Sequence, residues 1–155
     1  MSLAQFEAAV KQVTAAIAGL PVEPKLADRL EAEFPPGSET FETLKALCRQ
    51  GIAEGWLCQR EAGGIRYGRP VKPGPETAGY SVDVVLMDSL AGPHHGHPNG
   101  EIDMIMPETE GATFDGKGEG WLVYGPGTAH HPTVTGGRAI VLYLLPEGAI
   151  QFTRS

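Results

Sequence analysis

The chain has 155 residues, 41% of them hydrophobic and 20% charged, which fits one globular domain with a sizeable core. A net charge of −7 with no long basic run argues against nucleic acid or an anionic membrane as partner, and leaves a small molecule as the expected one. No apolar stretch approaches the roughly 20 residues that span a bilayer, and Met1 to Leu20 lacks the apolar centre of a secretory leader. The two cysteines, Cys48 and Cys58, read as reduced thiols, so a cytoplasmic protein is expected.

Leu3, Phe6, Val10, Val13 and Ile17 recur at three- and four-residue spacing, one face of a helix that ends at Gly19. Leu26, Leu30 and Phe34 predict a second, short helix stopped by Pro35-Pro36. Ser38 or Glu39 opens a third, with Phe41, Leu44, Leu47, Cys48 and Ile52 inward and Gly55 at its end. After Trp56 the pattern changes. Gly63-Gly64, Gly68, Pro70, Pro73-Gly74-Pro75 and Gly79 mark turns. Short alternating or apolar runs follow at 80–88, 101–106, 120–124, 139–145 and 149–153, each bounded by Gly or Pro. Such runs predict a β-sandwich or small barrel. The expected architecture is therefore mainly β with a helical N-terminal third. Residues 1–58 form the helical region, packed on a β region over 59–155, in a single structural domain. The helices would cover apolar surface or form a dimer contact, and a homodimer is expected.

All five histidines lie in two short segments, His94-His95-Gly96-His97-Pro98-Asn99-Gly100-Glu101 and Gly125-Pro126-Gly127-Thr128-Ala129-His130-His131. On a strand, His95 and His97 share a face. Pro98-Asn99-Gly100, as a tight turn or bulge, would re-aim the chain so that Glu101 meets both imidazoles. His130 could reach the fourth corner from a neighbouring antiparallel strand. Three imidazoles and one carboxylate suit a divalent first-row metal such as Fe, Mn, Zn, Ni or Cu, and leave positions open for catalysis. His94 and His131 each adjoin a proposed ligand and face the other way, behind the ligands or on the surface. The alternative is that His131 takes the place of His130.

These two segments resemble the two motifs of the cupin superfamily. The first, Gly-x5-His-x-His-x3-Glu-x6-Gly, is matched at His95, His97 and Glu101, with Ser89 and Glu108 at its glycine positions. The second, Gly-x5-Pro-x-Gly-x2-His-x3-Asn, is matched at Gly127 and His130, with Gly125 at its proline and Val134 at its asparagine. The resemblance implies an antiparallel β-barrel (a jelly roll) over roughly residues 75–153, covered by the helices and holding one metal. The chain as a whole is similar to a small cupin-like family that includes 4-hydroxylaminobenzoate lyase. The shared features are Ile65 to Arg69, the His-x-His-Pro-Asn-Gly-Glu-Ile-Asp run, a late His-His-Pro-x-Val and a closing Leu-Tyr-x-Leu-Pro-x-Gly. That likeness implies conversion of 4-hydroxylaminobenzoate to protocatechuate and ammonia in the breakdown of aromatic compounds. The reaction is redox-neutral, and no glycine-rich nucleotide-cofactor motif is present. An Fe(II) dioxygenase or a non-catalytic small-molecule-binding cupin are the alternative readings of the same ligand set.

Further residues carry expectations of their own. If Glu101 faces the lumen, so does Asp103, either as a proton carrier with a raised pKa or as a structural carboxylate. Arg60, Arg66 and Arg69 fall in a linker leading into the barrel, with Tyr67 between them. Arg66 or Arg69, with Tyr67, is the candidate clamp for a substrate carboxylate, against a reading as surface charge. Trp56, Trp121, Tyr80, Tyr124 and Tyr143 line an aromatic pocket or simply fill the core. Cys48 and Cys58 are expected to be inert.

Overall fold

In the computed structural model, which describes residues 2–153, three helices precede a set of antiparallel strands. The last residues of the expected β region, 154 and 155, lie outside the described part. Helix α1 spans Leu3–Ile17, α2 Leu26–Glu33 and α3 Glu39–Glu54. The caps follow from residue chemistry. The Ser2 and Ser38 hydroxyls accept from the Gln5 and Phe41 N–H groups, satisfying first-turn donors. Helix α3 stops at Gly55, whose φ of 84° is left-handed, and the N–H groups of Gly55, Trp56 and Leu57 all turn back to the Gly51 carbonyl. Helix α2 ends just before the proline pair, as the sequence predicts.

The principal sheet has six antiparallel strands in the order β1-β2-β3-β10-β5-β7. These are β1 Arg60–Ala62, β2 Ile65–Val71, β3 Tyr80–Asp88, β5 Glu101–Pro107, β7 Gly120–Tyr124 and β10 Arg138–Pro146. Facing it are two smaller sheets. One has the order β11-β4-β8, from Gln151–Phe152, His95–His97 and Thr128–His130, and the other pairs β6, Thr113–Phe114, with β9, Val134–Thr135. The large sheet is buried on both faces, which is why its strands read as apolar runs rather than clean alternations. One face packs on the helices: Val82, Val84, Met104, Ile140, Leu142 and Trp121 share a core with Phe6, Val10, Val13, Leu30, Phe41 and Leu44. The opposite face points into the barrel, where Val85, Met87, Ile105, Val141 and Tyr143 meet Phe114 and Val134 of the small sheet. Helix α2 covers the edge at β7, where Glu31 accepts from the Trp121 backbone N–H at 2.8 Å and Phe34 O accepts from its indole at 2.9 Å.

Residues 60–71 are not a linker. They form β1 and β2, and β2 pairs with β3, so the sheet begins before residue 75. The register of β2 shifts between Gly68 and Val71, the irregularity expected where Gly68 and Pro70 interrupt a ladder. The run at 149–153 contributes only the short β11. Ser89, at the position where the cupin motif has glycine, holds a left-handed φ of 44°, and its hydroxyl accepts from the Gly137 N–H. No helix among the described residues is long and apolar enough to cross a membrane.

Candidate metal centre

Strand β4 carries His95 and His97 on one face, both buried. The chain then turns at Pro98–Gly100, with the Gly100 N–H returning to His97 O at 3.2 Å. Gly100 has a φ of +92°, and a Cβ there would meet Val22 Cγ1 at 2.7 Å and Tyr124 O at 2.8 Å. Only glycine fits both the backbone conformation and the space. The turn delivers Glu101, fully buried, at the start of β5. Strand β8 pairs with β4 so that His130 stands opposite His95.

The four side chains converge. Glu101 Oε1 is 3.2 Å from both His95 Nε2 and His97 Nε2. His130 Nε2 lies 3.2 Å from His95 Nε2 and 3.5 Å from Glu101 Oε2. All four ligating atoms lie within 4.8 Å of one another. Bonds of about 2.1 Å to one ion would set adjacent ligand atoms about 3.0 Å apart and opposite ones about 4.2 Å apart. The observed spacing is on that scale. His97 Nε2 and Glu101 Oε2 are also sealed from solvent without a hydrogen-bond partner, which a divalent cation would remedy. The residues present therefore fit such an ion.

Outer contacts orient the imidazoles. The Thr128 hydroxyl donates to Gly125 O at 2.6 Å, so it accepts from His97 Nδ1 at 3.0 Å, which leaves the His97 Nε2 lone pair facing the cluster. Asp115 Oδ2 accepts from His130 Nδ1 at 2.5 Å and from the Tyr124 hydroxyl at 2.5 Å, while Asp115 Oδ1 accepts from Thr133 N–H at 2.9 Å. Burial works against a charge on His130, but Asp115 and Glu101 overcome it and lift its pKa to about 9. A cation has to displace that proton. Burial also opposes the Glu101 charge, and the surrounding imidazoles hold its carboxyl well below the usual range. Asp115, which holds the His130 ring, is the residue of this cluster that motif reading misses. The only local signal is the Asp115-Gly116 pair, which forms a two-residue turn with φ of 49° and 82° between Phe114 and Lys117.

Asp103 faces the lumen as expected. It is fully buried, and neither carboxylate oxygen has a hydrogen-bond partner. Burial first, and the Glu101 charge second, push its pKa well up. In the ladder it sits directly across from Tyr143 on β10. Tyr143 and His95 form part of the wall of a cavity of about 640 Å³ that opens between the sheets; Asp103 lies one side chain behind that wall.

Other expected site residues separate. Tyr67 and Arg69 line the cavity. Arg69 grips Asp83 through Nε at 2.8 Å and Nη2 at 3.1 Å, and Nη2 also donates to Gly148 O at 3.2 Å. Arg66 does not belong with them. Strand alternation turns it to the other face of β2, opposite Leu86, away from the cavity. His94 and His131 stay out of the cluster. Their rings lie 4.9 Å apart, His94 bonds Thr153 Oγ1, and His131 Nδ1 bonds Gly92 O at 3.2 Å. His130, not His131, completes the four. Of the aromatics, Trp56 and Trp121 pack among the helices, whereas the Tyr124 ring lies 4.6 Å from that of His130. Cys48 and Cys58 are buried free thiols; burial raises both, Cys58 to about 11.

An antiparallel β-barrel flanked by helices, with three histidines and a glutamate converging inside it, defines a cupin. Residues 8–152 match the family 4-hydroxylaminobenzoate lyase. A protein of that name from Nocardioides sp. (strain LMS-CY) is 37% identical over 132 residues, covering 79% of this chain and 78% of that one. Another from Pseudomonas putida is 35% identical over 140 residues, covering 79% and 80%. The chain belongs to the 4-hydroxylaminobenzoate lyase family, and with it to the lyases. Among solved structures, a double-stranded β-helix protein from Klebsiella pneumoniae is similar with a TM-score of 0.47 at 15% identity, over 66% of this chain and 94% of that one.

Proposed function

We propose that this chain is a metal-dependent lyase that takes 4-hydroxylaminobenzoate and one water to protocatechuate and ammonia. The observation that carries the reading is the convergence of His95, His97, Glu101 and His130, with two sealed and unpartnered ligand atoms, at the wall of a cavity sized for one small ligand. The substrate comes from the name its relatives bear. One divalent first-row transition metal held by these four residues would supply Lewis acidity toward the hydroxylamino oxygen.

The chain's own residues account for the rest. Tyr67 and Phe152, facing the cavity, offer apolar surface to an aromatic ring. Burial, and then the Glu101 charge, raise the pKa of the Asp103 carboxyl, which favours its protonated form. It stands one side chain from the cavity, so its proton reaches the departing oxygen through Tyr143 or a water, and is recovered from the water that adds to the ring. The N–O bond breaks with its electron pair leaving on oxygen, water adds to the ring carbon beside the nitrogen, and hydrolysis of the C–N bond releases ammonia. One water leaves and two enter, and no external oxidant or reductant is consumed. The test is metal analysis of the freshly purified protein, followed by turnover of 4-hydroxylaminobenzoate in an oxygen electrode. Ammonia and protocatechuate in equal amounts, no oxygen uptake, and loss of turnover on chelation are expected. Oxygen uptake during turnover of an aromatic acid would assign an Fe(II) dioxygenase instead.

A further inference from the structure

The cavity is unevenly charged along its depth. Its inner wall, at His95 and Tyr143, is backed by the buried carboxyls of Glu101 and Asp103. Along its side, Asp83 is matched by Arg69, whose Nε and Nη2 are taken up by that carboxylate and by Gly148 O. Two further cations line the cavity, Arg60 and Lys72. Arg60 is paired across the ladder with Tyr67, which places both on the cavity face of the sheet. Both cations are exposed, and neither makes an ion pair or hydrogen bond to any described residue.

An arene carboxylate entering this space is attracted to the unmatched cations at its exposed side. We propose that Arg60 and Lys72 receive the carboxylate of an aromatic acid at the mouth of the cavity, so that the acid binds with its para substituent toward His95. This rests on the aromatic-acid reading above and adds its orientation and the residues that set it. The charge of Arg69 is already balanced by Asp83, whereas those of Arg60 and Lys72 are not. Arg60 supplies a planar fork for the carboxylate and Lys72 a point charge. The rival anchor is the ion held by the histidines, which would draw the carboxylate inward and turn the ring end for end.

The experiment is calorimetric titration of the purified, metal-containing protein with 4-hydroxybenzoate and with its neutral analogue 4-hydroxybenzamide. Wild type, Arg60→Gln, Lys72→Gln and the double variant are compared at low and high salt. Each single substitution should weaken the acid about threefold to tenfold, the double one further, and salt should shrink the difference. Affinity for the amide should be the same in all four proteins. A double variant that binds the acid as tightly as wild type overturns the orientation. So does a wild type that binds acid and amide equally, or an amide weakened as much as the acid. A wild type that binds neither compound overturns the aromatic-acid reading itself, and this inference with it.

Discussion

Replacing Asp103 by asparagine removes one titratable proton from the barrel interior while keeping the side chain's shape. In the metal-free protein, burial and then the Glu101 charge raise the Asp103 pKa, so the native state keeps a proton that the unfolded chain releases. Release in the unfolded chain begins near about pH 3.9. The native state then binds more protons than the unfolded one, and wild-type stability falls as pH rises from that value toward the raised native pKa. The asparagine variant escapes this loss, which should make it more stable than wild type in the metal-free form by about 1–3 kcal/mol at pH 8, with little difference at pH 4. That corresponds to a rise in Tm of roughly 2–12 °C, read by circular dichroism on chelated protein at both pH values. Turnover should move the other way, falling about 10²–10⁴-fold in the loaded enzyme, with metal content unchanged. A variant that melts below wild type at pH 8 would show that the Asp103 carboxylate is held by a partner in the native state. Full activity would remove it from proton transfer.

Glu101→Gln should separate from this, keeping the fold but lowering metal content per chain in elemental analysis, because a hard anionic ligand is lost. Asp115→Asn should weaken metal binding about 10–100-fold in a competitive chelator titration, since the amide has one acceptor oxygen for the three donors of His130, Tyr124 and Thr133 and no charge behind the His130 ring. Tyr124→Phe, which spares the His130–Asp115 contact, should cost less. Gly100→Ala should lower stability by about 2–5 kcal/mol in urea unfolding, the sum of its backbone conformation and the clash with Val22 and Tyr124 O. Gly127→Ala has the same handedness, with φ of +82°, but nothing within 4 Å of the added Cβ, so it should cost only about 1–2 kcal/mol.

Local pattern was enough for the helices and for most of the ligand set. The stripe from Phe6 to Ile17, the serine caps and Gly55 act within one element, and no distant contact overrides them. His95 and His97 share a face because strand geometry alternates, and Gly100 marks the turn that brings Glu101 back to them. The long strands β3, β5 and β10 were legible as apolar runs, because burial on both faces leaves few polar positions.

What remained depended on register between separate strands. Strand β2 carries Gly68 and Pro70 and draws its stability from β3, so its own sequence looks like a loop. Whether Arg66 or Arg69 meets the cavity is a matter of one residue's alternation on that strand, and the partner strand sets it. His130 rather than His131 joins the cluster because β8 pairs with β4 in the register that puts His130 opposite His95. Asp115 reaches His130 only because the turn between Phe114 and Lys117 folds over β8. Residue type and spacing chose the ligand chemistry, since those are properties of a short segment. The backing carboxylate, the paired Arg69 and the unmatched Arg60 and Lys72 arise from how β1, β2 and β3, and β4 and β8, are registered side by side, and no single segment contains that information.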